Sequence, residues 1–274
     1  MRRSLGLTTG LAAGLAAGYG IRRWAARPRP AIEPVAHRGG AATAPENTLA
    51  AFRAALAAGI VTWELDVQLT RDSALVVFHD ETLDRTSNGQ GPLAGRLLAD
   101  LQQLDAGAWF GPQWQGEPIP TLEAVIALAR TAPNGGARLL IEIKSPHLYP
   151  GIERRLLAVL AAQHYTERVL LMSFDGASLG EVRKLAPRLP LCQLFAQETP
   201  FPVTPAARAE VLGPMWQMLA VNPLPIYLAH RAGRQVYTWT VNDPAALHWL
   251  RLCGVDGVIS DRLDLLQMIG ADRS

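Results

Sequence analysis

From residue 34 onward, short apolar runs of strand character alternate with runs of helical spacing, and no other feature of the 274-residue chain narrows its fold as much. The strands fall near 34–37, 62–67, 138–144, 168–173, 190–195, 218–222, 235–241 and 256–260, with helices between them such as 48–58, 122–130 and 243–252. Eight strand–helix units in this length match the size of a TIM-type (β/α)8 barrel, although the pattern by itself leaves a doubly wound sheet open. The weakest stretch is 190–222, where 197–214 is rich in proline and reads as a loop. Residues 81–120 carry Gly89, Gly91, Gly95, Gly107, Gly111 and Pro112 without a clear period, and read as a small cap inserted beside the barrel. Its Trp109, Phe110 and Trp114 are expected to cover the rim or to line an entrance.

Two of these strands put ionisable side chains on one face. Over 62–67, Trp63, Leu65 and Val67 point one way and Glu64 and Asp66 the other. A solvated face would tolerate the acidic pair. If the face is buried, two neighbouring carboxylates repel, and a cation between them makes sense of the arrangement. Over 139–145, LLIEIKS repeats the pattern with Glu142 and Lys144 on one face. All but two of the 26 basic residues are arginine, and Lys144 and Lys184 are the exceptions. An ammonium is a compact point charge that can reach a phosphate, which gives Lys144 a reason to be lysine; Lys184 reads as a surface residue.

The segments AHRG at 36–39, APENT at 44–48, ELDVQLT at 64–70, FHDETLDRTSNG at 78–89, IEIK at 141–144 and WTVND at 239–243 together resemble the glycerophosphodiester phosphodiesterase family, in family order from about 34 to 266. The resemblance implies a TIM-type barrel, a divalent metal, and hydrolysis of glycerophosphodiesters to glycerol 3-phosphate and an alcohol. It implies that one of His37 and His79 is the general acid and the other the general base, without saying which, with Arg38 and Lys144 offsetting charge on the phosphate. Glu64, Asp66 and Glu142 would be the metal ligands, and their all-oxygen set suits Mg2+ or Ca2+ rather than zinc. Glu46, Asn47 and Trp239 are expected at the substrate, Trp239 against the glycerol; Asn47-Thr48 equally suits a helix N-cap. His147 lies in a loop that could touch substrate, and His164, His230 and His248 are assigned to structure. The text departs from the family's usual form at 59–62 and 259–263, and no proposed ligand or histidine is lost.

Composition adds bounds. Residues 1–30 hold six arginines and no acid, and removing those six from the 26 basic residues leaves 20 against 24 acidic. The body is therefore mildly acidic, which argues against nucleic acid as a partner. Residues 5–21 form an uncharged run between arginines, about 26 Å long as a helix and marginal for crossing a bilayer. An anchor, a cleaved signal and a twin-arginine export signal all remain open. The domains are thus 1–30 as leader and 31–274 as barrel, the chain being membrane-associated or exported. Cys192 and Cys253 make no framework and read as free buried thiols. The expected partner is a soluble glycerophosphodiester, with two rivals: a lysophospholipid phospholipase D acting on membrane lysolipid, and a tethered barrel that binds phosphodiesters without catalysis.

Overall fold

A computed structural model of the chain describes residues 31–196, 208–220 and 222–271. The leader read at 5–21 lies outside them, and among the described residues no helix is long and apolar enough to cross a membrane. One sheet contains β1 (Glu33–Ala36), β2 (Thr62–Leu69), β3 (Leu75–Val77), β4 (Arg138–Ile143), β5 (Val169–Ser173), β6 (Leu191–Phe195), β7 (Val211–Pro214), β8 (Gln235–Thr238) and β9 (Gly257–Ser260). All neighbours are parallel except β2 and β3, and β1 pairs with both β9 and β2, so the sheet closes into an eight-stranded barrel. The helices are α1 (Leu49–Ala57), α2 (Leu98–Leu101), α3 (Leu122–Ala129), α4 (Ile152–Ala162), α5 (Gly176–Leu185), α6 (Leu224–Arg231), α7 (Pro244–Cys253) and α8 (Leu263–Ala271).

Strand alternation sorts the core into layers. Trp63, Leu65 and Val67 of β2 and Leu139, Ile141 and Ile143 of β4 join the apolar layer that also holds helix residues such as Phe52, Val125 and Leu156. Residues of opposite parity, including Val35, Leu140, Leu170, Cys192, Tyr237 and Ile259, form a separate cluster that fills the barrel. By parity Glu64, Asp66 and Glu142 share that inner side, and all three are buried. Carboxylates occupy positions where a barrel normally stacks aliphatic side chains. Cys192 and Cys253 are both buried, and neither forms a disulfide.

The seventh strand corrects the sequence reading. The run expected as a strand at 218–222 opens inside a 3-10 turn, Trp216–Leu219, and the strand is Val211–Pro214, inside the stretch read as a loop. The misreading has a physical source, because glycine and proline are both poor strand formers. Here the packing requires one of them: a Cβ on Gly213 would lie 2.6 Å from Leu194 and 2.9 Å from the Cys192 sulfur. Pro214 closes the strand, where its carbonyl accepts from the Thr238 hydroxyl at 2.9 Å. His164 sits in the turn after α4, with φ +46°.

Side-chain caps start the helices at the mouth of the barrel. Thr48, Thr121, Asp175 and Asp243 accept from backbone amides at the starts of α1, α3, α5 and α7. Thr48 also donates to the Pro45 carbonyl at 2.7 Å. Thr48→Ala is therefore expected to cost about 1–2 kcal/mol, read as a lowered urea midpoint with an unchanged slope. Leu83, Leu93, Leu101, Ala106 and Ile119 of the 81–120 insertion form an apolar cluster with Val76 and Phe78 of the preceding hairpin arm. Phe110 meets Trp109 and Trp114 edge to face, with centroids 5.5 and 6.5 Å away.

Candidate active site

The chain leaves β1 through a tight turn in which Arg38, Gly39 and Gly40 all have positive φ. A Cβ on Gly39 would come within 3 Å of Ala51 and the Phe52 amide, so glycine lets this turn lie directly on α1. The turn delivers His37 and Arg38 to the C-terminal end of the barrel. The hairpin β2–β3 delivers His79 there as well, because it doubles the chain back until the Phe78 amide donates to the Asp66 carbonyl at 3.0 Å. Its turn holds Ser73 at φ +62°, a conformation glycine would adopt at less cost.

These elements meet in a cleft of about 260 Å³ whose walls include His37, Arg38, Glu64, His79, Glu142 and Lys144 on one side of the chemistry and Met172, Phe174, Leu194 and Trp239 on the other. Oxygens of Glu64, Asp66 and Glu142 lie within 4.8 Å of one another, close enough to grip one ion. Asp66 Oδ1 is buried and accepts no hydrogen bond, so its lone pairs could serve a cation. Burial pushes the Glu64 carboxyl well above its ordinary value, and the adjacent Asp66 and Glu142 push the same way. Burial likewise raises Glu142, to about 7, against the opposing pull of Lys144. Asp66 goes the other way: Arg38 and Lys144 overcome its burial and hold it down at about 2.

Each histidine is anchored by a carboxylate. His37 Nδ1 donates to Asp261 Oδ1 at 2.6 Å and His79 Nδ1 donates to Asp80 Oδ1 at 2.6 Å, since an ionised carboxylate can only accept. Both Nε2 atoms are thereby turned toward the cleft. His79 Nε2 takes a hydrogen bond from the Lys144 ammonium at 3.2 Å, while His37 Nε2 stands 3.9 Å from Glu64 Oε2. Burial lowers the His79 pKa, Arg38 and Lys144 add to that, and Asp66 and Asp80 only partly offset it. Lys144 also reaches Glu142 at 2.9 Å.

Behind these groups stand the remaining expected site residues. Glu46 accepts from Arg38 at 2.7 Å, and Asn47, with φ +59°, donates from its amide to Asp66 Oδ2 at 2.8 Å. Capping falls to Thr48, which frees Asn47 for this contact. Trp239 lines the cleft, its indole donating to the Gly213 carbonyl at 2.7 Å and its ring edge-on to Phe174 at 5.5 Å. His147 and the insertion's aromatic trio are not among the lining residues. A larger hollow of about 560 Å³ opens at the other end of the barrel, but its polar groups are mutually satisfied: Glu33 accepts from Thr62, Arg138 and Tyr237.

The sequence profile of the glycerophosphoryl diester phosphodiesterase family matches residues 37–265. The chain is 40% identical over 230 residues to a glycerophosphodiester phosphodiesterase of Caldanaerobacter subterraneus subsp. tengcongensis, covering 83% of this chain and 93% of that one. A Bacillus subtilis glycerophosphodiester phosphodiesterase is 36% identical over 255 residues, 86% of this chain and 85% of its own. The chain belongs to the glycerophosphoryl diester phosphodiesterase family. Among solved structures, an Oleispira antarctica phosphodiesterase in complex with the product sn-glycerol-3-phosphate matches with a TM-score of 0.77 at 31% identity, over 89% of this chain and 96% of that one. A glycerophosphodiester phosphodiesterase of Agrobacterium tumefaciens matches at 0.75 and 29% identity, over 86% and 99%. As a glycerophosphoryl diester phosphodiesterase family member, the protein is a phosphoric diester hydrolase.

The sequence reading of this family member missed Asp80, Asp261, Asn242 and Arg85. Asp261 follows β9 and is itself held by the Asn242 amide at 2.6 Å. Its position directly after the last strand was the available signal, because side chains there reach the mouth of a barrel. Asp80 directly follows His79, and a carboxylate next to a functional histidine is a standing candidate for its orienting partner.

Proposed function

We propose that the enzyme hydrolyses glycerophosphodiesters to sn-glycerol 3-phosphate and an alcohol, using one divalent cation, Mg2+ or Ca2+, and His79 and His37 as base and acid. The observation that carries this reading is the convergence of two carboxylate-anchored histidines, Arg38 and Lys144 on one triad of buried carboxylates. Glu64, Asp66 and Glu142 would hold the cation, and the bare Asp66 Oδ1 and the all-carboxylate donor set fit a hard ion. A cation held by these three carboxylates would supply Lewis-acid stabilisation of the charge that grows on the phosphoryl group.

The chain's own groups do the rest. Arg38 Nε is buried without a hydrogen bond, 3.4 Å from Asp66 Oδ2, and offers a donor to a phosphate oxygen entering the cleft. His79, with its proton on Nδ1 and its lone pair on Nε2, is set up to take a proton from the nucleophile. His37 Nε2, beside the Glu64 carboxylate, is set up to return one to the leaving alcohol. Asn47 fixes Asp66, Glu46 fixes Arg38, and Trp239 offers its face to the glycerol carbons.

Release of glycerol 3-phosphate from glycerophosphocholine by the full chain tests the reading. The expected result is turnover with Mg2+ or Ca2+ that stops in EDTA and returns when the ion is restored; no turnover with either ion sinks the soluble-diester assignment. A lysophospholipid phospholipase D reading draws on one observation. Phe174, 41% exposed, continues the apolar wall of Met172, Leu194 and Trp239 outward, where an acyl chain could lie. Faster turnover of lysophosphatidylcholine than of glycerophosphocholine would favour it.

A further inference from the structure

Arg85 belongs to the insertion, lies outside the cleft lining, and has no part in the chemistry above, yet it touches both halves of the machinery. Its Nε and Nη2 donate to Asp80 Oδ2 and Oδ1 at 2.6 and 2.9 Å. Its Nη1 and Nη2 donate to Glu46 Oε2 and Oε1 at 2.9 and 2.7 Å. One guanidinium therefore grips two carboxylates, each through both oxygens. Those carboxylates are the ones that orient His79 and Arg38.

Asp80 and Glu46 come from separate parts of the chain, and without a cation between them they would repel. The loop that carries Arg85 is itself well fixed: Thr82 and Pro92 form an antiparallel bridge, Leu83 donates to Gly91 at 2.9 Å, and Leu83 and Leu93 lie in the insertion's apolar cluster. An ammonium cannot copy this arrangement, because four directed hydrogen bonds to two carboxylates need the planar fork of a guanidinium.

We infer that Arg85 is a positioning residue, which aligns His79 through Asp80 and Arg38 through Glu46 and so ties the inserted segment to the reacting groups. The inference rests on the function proposed above. Outer partners that orient reactive groups typically matter about 10–100-fold, and Arg85→Ala is expected to lose kcat by that factor on glycerophosphocholine. Arg85→Lys is expected to recover little of it. Guanidinium ion added to Arg85→Ala is expected to restore part of the lost kcat, while methylammonium at the same concentration restores none. In an Asp80→Asn background Arg85→Ala is expected to cost less than in the wild type, because the path through Asp80 to His79 is already broken and only the path through Glu46 to Arg38 remains.

Wild-type turnover measured alongside separates the two ideas. A wild type with no turnover removes the function reading, whereas an active wild type matched by Arg85→Ala removes the positioning role. A folded Arg85→Lys with full activity overturns it as well, and so does a loss in Arg85→Ala that guanidinium leaves untouched. If Arg85→Ala does not fold, Arg85→Gln and Arg85→Lys, judged by the same kcat and double-variant comparison, decide the matter.

Discussion

His79→Ala is expected to lose about 10²–10⁴-fold in kcat, and His37→Ala a comparable factor, while both variants are expected to keep wild-type thermal unfolding within a few degrees. The side chains are only partly buried, 27% and 14% exposed, and their ring contacts are polar ones at the cleft, so little core is removed. Their separate roles appear when the leaving group changes. A diester of p-nitrophenol needs no proton on its departing oxygen, so the deficit of His37→Ala shrinks with it if His37 is the acid. The deficit of His79→Ala stays, because the nucleophile still has to be deprotonated. The reverse pattern would exchange the two roles, and equal relief of both would remove the assignment. The pH profile gives a second check. The His79 pKa is lowered by burial, with Arg38 and Lys144 adding to it, so its neutral, proton-accepting form persists below the ordinary histidine value of 6.5. The acid limb of kcat/KM is expected below that value. The same shift makes the folded state bind fewer protons than the unfolded chain, so the stability His79 contributes is present above 6.5 and lost as pH falls through its folded value.

How much of this site was legible depends on the kind of residue. Glu64, Asp66, Glu142 and Lys144 could be read because a strand has a period of two, and their neighbours Trp63, Leu65, Ile141 and Ile143 declare which side is covered by helices. The alternation of strands and helices could be read for the same reason, with the family resemblance choosing a barrel over a doubly wound sheet, apart from β7, where Gly213 and Pro214 answer to packing against Leu194 and Cys192 and carry no strand signal of their own. The carboxylates behind the histidines were harder. Asp261 lies 224 positions from His37 in sequence, and nothing local to either residue says they meet; only closure of β9 onto β1 brings them together. Arg85 sits in a segment without period, so its double grip on Asp80 and Glu46 exists only in three dimensions. Asn47-Thr48 fell between the two cases: the local signal for a cap was right, but it could not say which residue capped the helix and which turned to Asp66.

Glu64 and Glu142 carry a further consequence, because their ionised forms are expected to cost the fold stability where no cation is bound. Glu142→Gln is expected to unfold at a higher temperature than the wild type in EDTA at pH 8, and to be inactive. The sign follows from the direction of the shift. Burial raises Glu142 from its ordinary 4.5 to about 7, so its contribution to stability is complete below pH 4.5 and is lost as pH rises through 7. Above that the ionised, buried carboxylate costs on the order of 3 kcal/mol, a penalty glutamine never incurs while its oxygen can still accept from Lys144. At pH 4.5 the two proteins should therefore unfold together, and the gap should open between pH 5 and 8. Glu64→Gln should behave in the same way, since burial and its two acidic neighbours push that carboxyl well up too. Adding Mg2+ or Ca2+ should raise the wild-type midpoint and leave Glu142→Gln nearly unmoved, because only the intact triad gains from the ion. The ion also has to displace the proton on Glu142, so its binding should tighten as pH rises through 7 and release protons measurable by calorimetry in buffers of different ionisation enthalpy. A Glu142→Gln midpoint below that of the wild type at pH 8 in EDTA would show that the Lys144 pair outweighs the cost of the buried charge, and the triad would then be a structural ion-pair network instead of a site kept under strain for a cation.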